Sequence, residues 1–230
     1  MSKDKTYEPK FKRRRQGKTN YAKRLALVKS KKTIVVVRKT TTHIIAHAVK
    51  YNPKGDETTA MANSKELNNF SFYGTNNTPS AYLTGYLLGK RMNEKEAILD
   101  IGRRSPSHGS VVFACLKGLI DAGVKIPHSA EAIPSEDRIN GSVLAEYAKT
   151  NKDKFASYEK AGVKIEELPT AFAKAKTEID KVKPTAKVAK KETVKKKDAV
   201  SSKSEDTAPG STNGTVEVKE EIKKDEATKE

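Results

Sequence analysis

Two β-branched runs, TIVVVRK over residues 33–39 and HIIAHAVKY over residues 43–51, stand only three threonines apart. Val, Ile and Thr are stiff at χ1 and pack well on a pleated surface, so both runs predict strands. The link Thr40-Thr41-Thr42 is short enough for a hairpin. NPKGD, residues 52–56, carries strong turn chemistry, and TTAMANS, residues 58–64, then predicts a weaker third strand. The first third of the chain is therefore expected to fold as an antiparallel three-strand meander.

Helices follow it. After an Asn/Ser/Gly-rich connection over residues 65–77, NTPSAYLTGYLLGKRM predicts a helix with Thr78 as N-cap and Pro79 at its first position. Gly85 and Gly89, four apart, predict a close helix–sheet approach, in a segment too short and polar to span a bilayer. AILDIG, residues 97–102, predicts a fourth strand. The loop RRSPSHGS leads to Ser110 as cap of the helix VVFACLKGLIDAG, closed by Gly123. The expected fold class is α/β: a mixed sheet of about four strands, an antiparallel meander plus a βαβ-like half, flanked by helices. Residues 126–150 mix loop and short helix, and a further helix starts near Thr170.

Beyond about Lys183 the chain is Lys, Glu, Ala, Ser, Thr and Val, with almost no large apolar residue. Such a segment cannot bury enough surface to offset its ordering entropy, so a disordered tail is expected. The tail is basic first and acidic later: residues 176–203 hold 10 Lys against four acids, residues 204–230 four against eight. The expected organisation is a basic arm over 1–17, an α/β core over 18–148, a helical extension over 149–182 and the charged tail over 183–230.

Charge points to the partner. The formal net charge is +17, and residues 1–54 hold 17 Lys and Arg against two acids, while residues 55–174 are balanced at 15 against 15. Excess charge gathered in one quarter of a chain marks a surface for a polyanion. One cysteine, Cys115, excludes an intramolecular disulfide and a cysteine-built zinc site and fits a reducing, cytoplasmic compartment. No apolar run approaches ~20 residues, and the polar start of the chain carries no apolar core of a secretory signal.

Catalytic readings are thin. His43 and His47 lie on one strand face, about 13 Å apart at strand rise, too far for one metal ion. Cys115 falls in the apolar helical face of Phe113, Leu116 and Leu119 and reads as a buried small residue. Asp100 ends the fourth strand, where α/β enzymes often place a carboxylate, but no second acid is paired with it and a salt-bridge role is favoured. No phosphate-binding loop, dinucleotide fingerprint or serine elbow is present. No enzyme activity, small-molecule substrate, cofactor or metal is expected.

The basic residues are arranged rather than scattered. The arm offers Lys10, Lys12, Arg13, Arg14, Arg15 and Lys18, with Gly17 for backbone freedom. Guanidinium groups bind phosphates bidentately and stack on bases. TNYAKRLALVK, residues 19–29, predicts a helix capped by Thr19 or Asn20, with Tyr21, Leu25 and Val28 as its core-facing stripe and Lys23 and Arg24 off it. Arg38, Lys39 and His43 add donors from the hairpin. Arg103, Arg104 and His108 lie in the loop before a helix N-terminus, which suits a phosphate or is an ordinary capped loop. Tyr21 can stack on a base or pack on the core. Arm, helix and hairpin tip together can grip a folded RNA by shape.

The blocks FKRRRQGKTNYAKRLALVKS, IVVVRKTTTHIIAHAVKYNPKGDET, NTPSAYLTGYLLGKR and LDIG…GSVVFACLKGLIDAGVKIPHS, in that order, resemble the universal large-subunit ribosomal protein family L-eighteen in its archaeal form. The similarity runs from about Tyr7 to Tyr147 and more weakly to about Val182. It implies a structural protein that binds 5S ribosomal RNA and contacts the large ribosomal RNA. It further implies a place in the central protuberance beside neighbouring ribosomal proteins. In this family the basic N-terminal segment is a main RNA contact, which carries onto Arg13, Arg14, Arg15, Lys18, Thr19, Asn20, Tyr21 and Arg24, with Arg38, Lys39 and His43 following. The chain departs where the family places an arginine after Gly-Ser, having Val111 and Val112, and in its charged tail. The competing reading is a nonspecific basic nucleic-acid-binding or RNA-chaperone protein.

Overall fold

The computed structural model describes residues 8–182; the first seven residues of the arm and the expected disordered tail from 183 onward lie outside the described residues. Four strands form one sheet in the order β3-β2-β1-β4: β1 (Thr33–Lys39), β2 (Ile44–Lys50), β3 (Glu57–Asn63) and β4 (Ala97–Asp100). The three-strand meander is antiparallel, with Val35 opposite Ala48 and Ala48 opposite Ala60. β4 joins β1 in parallel, with Val35 opposite Leu99, so the sheet is mixed as expected.

Side-chain alternation gives the sheet two unlike faces. Val35, Val37, Ala46, Ala48, Ala60 and Ala62 are buried on one face, within the main hydrophobic core. Ile34, Val36 and Arg38 point to the other face, beside Ile45, His47 and Val49 of β2.

The helices divide between these faces. The arm contains a single turn, α1 (Lys12–Arg15), followed by α2 (Tyr21–Lys29). The basic arm is thus helical over this stretch, because the Phe11 carbonyl accepts from the amides of Arg14 and Arg15. Asn20 rather than Thr19 caps α2, its side chain accepting from the amides of Ala22 and Lys23. A 3-10 helix over Ser64–Phe70, closed by a reciprocal Asn63–Glu66 capping box, fills part of the connection expected to be loop.

Helix α3 (Thr78–Arg91) crosses the apolar face of the sheet and is buried from Thr78 to Gly89. That burial explains a sequence with no charge before Lys90. Its N-cap is Asn77, one residue before the expected Thr78, because the Asn77 carboxamide oxygen accepts from the Ser80 amide. α4 (Val111–Asp121) packs on α3 at backbone distance, and this corrects the expected helix–sheet role of the glycines. A Cβ at Gly85 would stand 2.1 Å from the Cys115 carbonyl oxygen, and one at Gly118 would stand 2.1 Å from that of Tyr82. The two helices interlock glycine against carbonyl, which only a residue without Cβ permits.

Three shorter helices, α5 (Glu136–Asn140), α6 (Ser142–Thr150) and α7 (Ala156–Lys160), lead to α8 (Leu168–Asp180). α8 begins at Leu168, with Pro169 in its first turn, two residues before the expected start. Leu168, Phe172, Ala175 and Ile179 are buried in the same core as α3 and α4. Residues 149–182 therefore close the core rather than hang from it. Polar latches reinforce the seam: Tyr86 donates to Asp180, and Lys90 pairs with Asp180 at 2.7 Å. The Lys90 ammonium, followed by the Tyr86 hydroxyl, holds the Asp180 carboxyl below its ordinary value. Cys115 is fully buried in α4, and burial pushes its thiol up to about 12.

Candidate RNA-binding surface

The face of the sheet turned away from α3 and α4 is where the basic segments meet. α2 covers only part of that face, and none of its residues is buried. The expected docking stripe of Tyr21, Leu25 and Val28 is not the one used: Leu25 is 54% exposed, while Leu27 and Val28 turn inward. Asn20, Lys23, Arg24 and Leu27 face a cleft whose floor is Ile34, Val36 and Val49. Lys23 and Arg24 thus look across the sheet rather than away from it. Leu27, three residues after Arg24, completes that face at helical spacing.

The arm and the β4–α4 loop supply the remaining walls. Arg13, Lys18 and Thr19 line the cleft together with Arg103. Arg13 is tied down by a hydrogen bond from its Nε to the Thr19 hydroxyl at 2.8 Å. Gly17 turns the chain with φ +67°, and a Cβ there would stand 2.6 Å from the Arg103 guanidinium. The glycine serves both the left-handed turn and the close passage of the arginine.

Two acids sort the cations. Arg24 Nη2 lies 2.9 and 2.8 Å from the two carboxylate oxygens of Asp56. Arg38 Nη2 pairs with Asp100 at 2.6 Å, and its Nη1 donates to the Val37 and Asp100 carbonyls. Asp100 also accepts from the Gly102 amide at 2.7 Å, so this strand-end carboxylate fastens the sheet to the loop. Among the described residues, Arg14, Arg15, Lys18, Lys23 and Arg103 form no ion pair, and their charge stays available. The salt-bridge role expected of Asp100 is the one it plays, with Arg38 as its partner, whereas the pairing role of Asp56 was not among the sequence expectations. Asp56 is the first acid after Glu8, and that gap in acidic residues was a usable signal.

Other expected residues lie apart from the cleft. Lys10 and Lys12 are exposed at the start of the helical turn. Lys39 and Arg104 line a second pocket with Ser107, Ser110 and Arg138 at the start of α4, where Arg104 Nη2 donates to the Lys39 carbonyl at 3.0 Å. The Ser110 side chain makes no capping hydrogen bond. His108 Nδ1 lies 3.0 Å from the Glu131 carbonyl oxygen. His43 sits in the hairpin turn, its amide donating to the Thr40 hydroxyl at 2.9 Å, and burial followed by the charge of Lys65 lowers its pKa. Asn76 braces the same turn by donating to the carbonyls of Thr40 and Thr41. His47 lies across from Val36, and burial followed by Arg38 lowers its pKa also.

No group of three or more His, Cys, Asp or Glu is placed to hold a metal ion among the described residues. Nor is any helix there long and apolar enough to cross a membrane. The described residues form a mixed-sheet α/β fold with one basic, partly open sheet face, a surface whose charge suits a polyanion. Residues 5–97 and 93–129 match the family described as ribosomal large subunit proteins 60S L5 and 50S L18. The chain is 46% identical over 189 residues to the large ribosomal subunit protein uL18 of Methanosphaera stadtmanae, covering 78% of this chain and 98% of that one. It is 44% identical over 182 residues to the protein of the same name from Korarchaeum cryptofilum, covering 75% and 93%. The chain belongs to this family of large-subunit ribosomal proteins, whose role is structural rather than enzymatic.

Proposed function

We propose that this protein binds 5S ribosomal RNA and helps attach it to the large subunit in the cytoplasm. It would form part of the central protuberance and touch the large-subunit RNA and neighbouring ribosomal proteins. The observation that carries this reading is the convergence of the arm, α2 and the β4–α4 loop on one cleft, with Lys18, Lys23 and Arg103 free of ion pairs among the described residues around it. Cations held on folded elements meet phosphates at fixed spacing, and the release of condensed counterions supplies much of the affinity. The ion pairs of Arg24 and Arg38 hold α2 and the loop in register and leave those guanidiniums half-exposed for a further acceptor.

Binding of the full chain to a 5S ribosomal RNA transcript and to a random RNA duplex of equal length, at moderate salt, tests the reading. A clear preference for the transcript that disappears on deleting residues 1–24 supports it. Equal affinity for the two RNAs would overturn it in favour of nonspecific binding. Co-purification of the chain with large subunits carrying 5S RNA checks the attachment role.

A further inference from the structure

Phe11 is the most exposed large apolar side chain among the described residues, at 69%. Its ring meets that of Tyr21 at 5.1 Å between centroids, tilted by 49°. Tyr21 is partly buried, and Leu25, four residues on and therefore on the same side of α2, is 54% exposed. Phe11, Tyr21 and Leu25 make a contiguous apolar patch on a segment otherwise dominated by charge. Nothing in the core requires Phe11 there, because its only ring contact among the described residues is the partly buried Tyr21 of α2. An exposed aromatic patch of this kind marks an interaction site.

The charge around the patch selects its occupant. Residues 9–55 contain no acid at all, and Arg14 and Arg15, whose amides donate to the Phe11 carbonyl, adjoin the patch without ion pairs among the described residues. A protein partner's apolar surface gains nothing from that concentration of cations, whereas a nucleotide presents both a flat π face and a phosphate. Stacking on an aromatic ring needs a base out of its helix, since bases within a duplex already stack on one another.

We infer that Phe11 and Tyr21, extended by Leu25, form a stacking platform for an unpaired nucleobase, while the adjoining arginines hold that nucleotide's phosphates. The inference rests on the RNA-binding reading and adds the structural class of nucleotide recognised at the arm. It also assigns a site role to Phe11, which charge-based reading of the sequence passes over.

The test uses the full chain with three probes: the 5S RNA transcript, a fully paired RNA duplex and single-stranded oligoadenylate. Phe11→Ala is expected to weaken transcript binding by about tenfold, the order of one base–aromatic stack. The slope of log affinity against log salt should stay unchanged, because no charge is removed. Phe11→Leu, which keeps apolar cover over Tyr21 without a π face, should weaken binding by a similar factor. The chain has no tryptophan, so Phe11→Trp installs a single reporter. Its fluorescence is expected to be quenched by the transcript and by oligoadenylate, and not by the duplex.

Wild-type affinity of Phe11→Ala for the transcript, or an unquenched Phe11→Trp on oligoadenylate, overturns the platform. A wild-type protein that fails to prefer the transcript over the duplex overturns the 5S reading instead, and the oligoadenylate quenching still judges the platform. Thermal melts of all three variants should match the wild type, given how exposed Phe11 is.

Discussion

The two faces of the sheet were built by opposite rules. On one, the alanines of β2 and β3 are sealed beneath α3 and Val35 and Val37 of β1 beneath α4, and the two helices interlock through Gly85 and Gly118. On the other, α2 leaves a cleft in which Arg38, Arg24 and Lys23 share space with apolar floor residues. The first face has no room and no charge. The second keeps both, and the acids nearest it, Asp56 and Asp100, hold two arginines while other cations stay free of ion pairs among the described residues. The packed core and the proposed binding surface thus fall on different sides of one sheet, so a substitution should disturb one without the other.

The largest expected effect is on the sealed side. Gly85→Val forces a Cβ against the Cys115 carbonyl and should cost about 3 kcal/mol or more, read as a lowered urea midpoint. Helix propensity alone predicts the opposite sign for a mild change such as Gly85→Ala, about 1 kcal/mol of stabilisation. A destabilised Gly85→Ala would therefore show that the helix–helix contact dominates. Leu25→Ala on the open side should stay within about 0.5 kcal/mol of the wild type.

A smaller effect, confined to binding, is expected from neutralising the open side. Replacing Lys18, Lys23 and Arg103 together by Gln should reduce the salt slope of RNA binding by about 0.7 to 0.9 for each phosphate that is no longer neutralised. The urea midpoint should hardly move. An unchanged salt slope would mean that the RNA does not enter the cleft, and would break the division of labour between the faces.

The smallest expected effect is a pH dependence of folding. His47 and His43 both have pKa values lowered chiefly by burial, so the unfolded chain binds protons more readily than the native one. Stability is then full above the unfolded histidine value near 6.5 and declines as pH falls from there through the lower folded values. The urea midpoint should drop between about pH 7.5 and about pH 5.5, and His47→Gln should flatten the difference. A midpoint that rises on acidification would contradict the partly buried placement of His47.

Much of the fold is legible in the sequence because its signals are local. The β-branched runs around Thr40-Thr41-Thr42 predict the hairpin that β1 and β2 form, and Gly123 closes α4 as expected, with φ +99°. Asn20, one of the two expected candidates, caps α2, and the cap of α3 is Asn77, one residue before the expected Thr78. Asn competes well at such sites because its carbonyl reaches the second or third amide. The α2 stripe departs from expectation for a different reason. Tyr21, Leu25 and Val28 do form an apolar row, but Tyr21 packs on Phe11 and Leu25 is left outside. Periodicity reports which residues share a face and is silent on what that face meets.

The sequence by itself determined the element order, the mixed sheet, the placement of nearly all the excess charge in the first 54 residues and the family to which the chain belongs. These depend on local propensity, on counting and on ordered blocks of residues. Only the tertiary structure decided which cations are spoken for. Arg24 finds Asp56 across 32 residues and Arg38 finds Asp100 across 62, and no local rule joins such distant partners. The same holds for the glycines: their spacing announces a close approach, but the Cys115 and Tyr82 carbonyls they meet are set by how α3 and α4 cross. Pairing at long separation is settled by the packing of the whole chain, where desolvation and sterics choose among contacts that the sequence alone leaves equivalent.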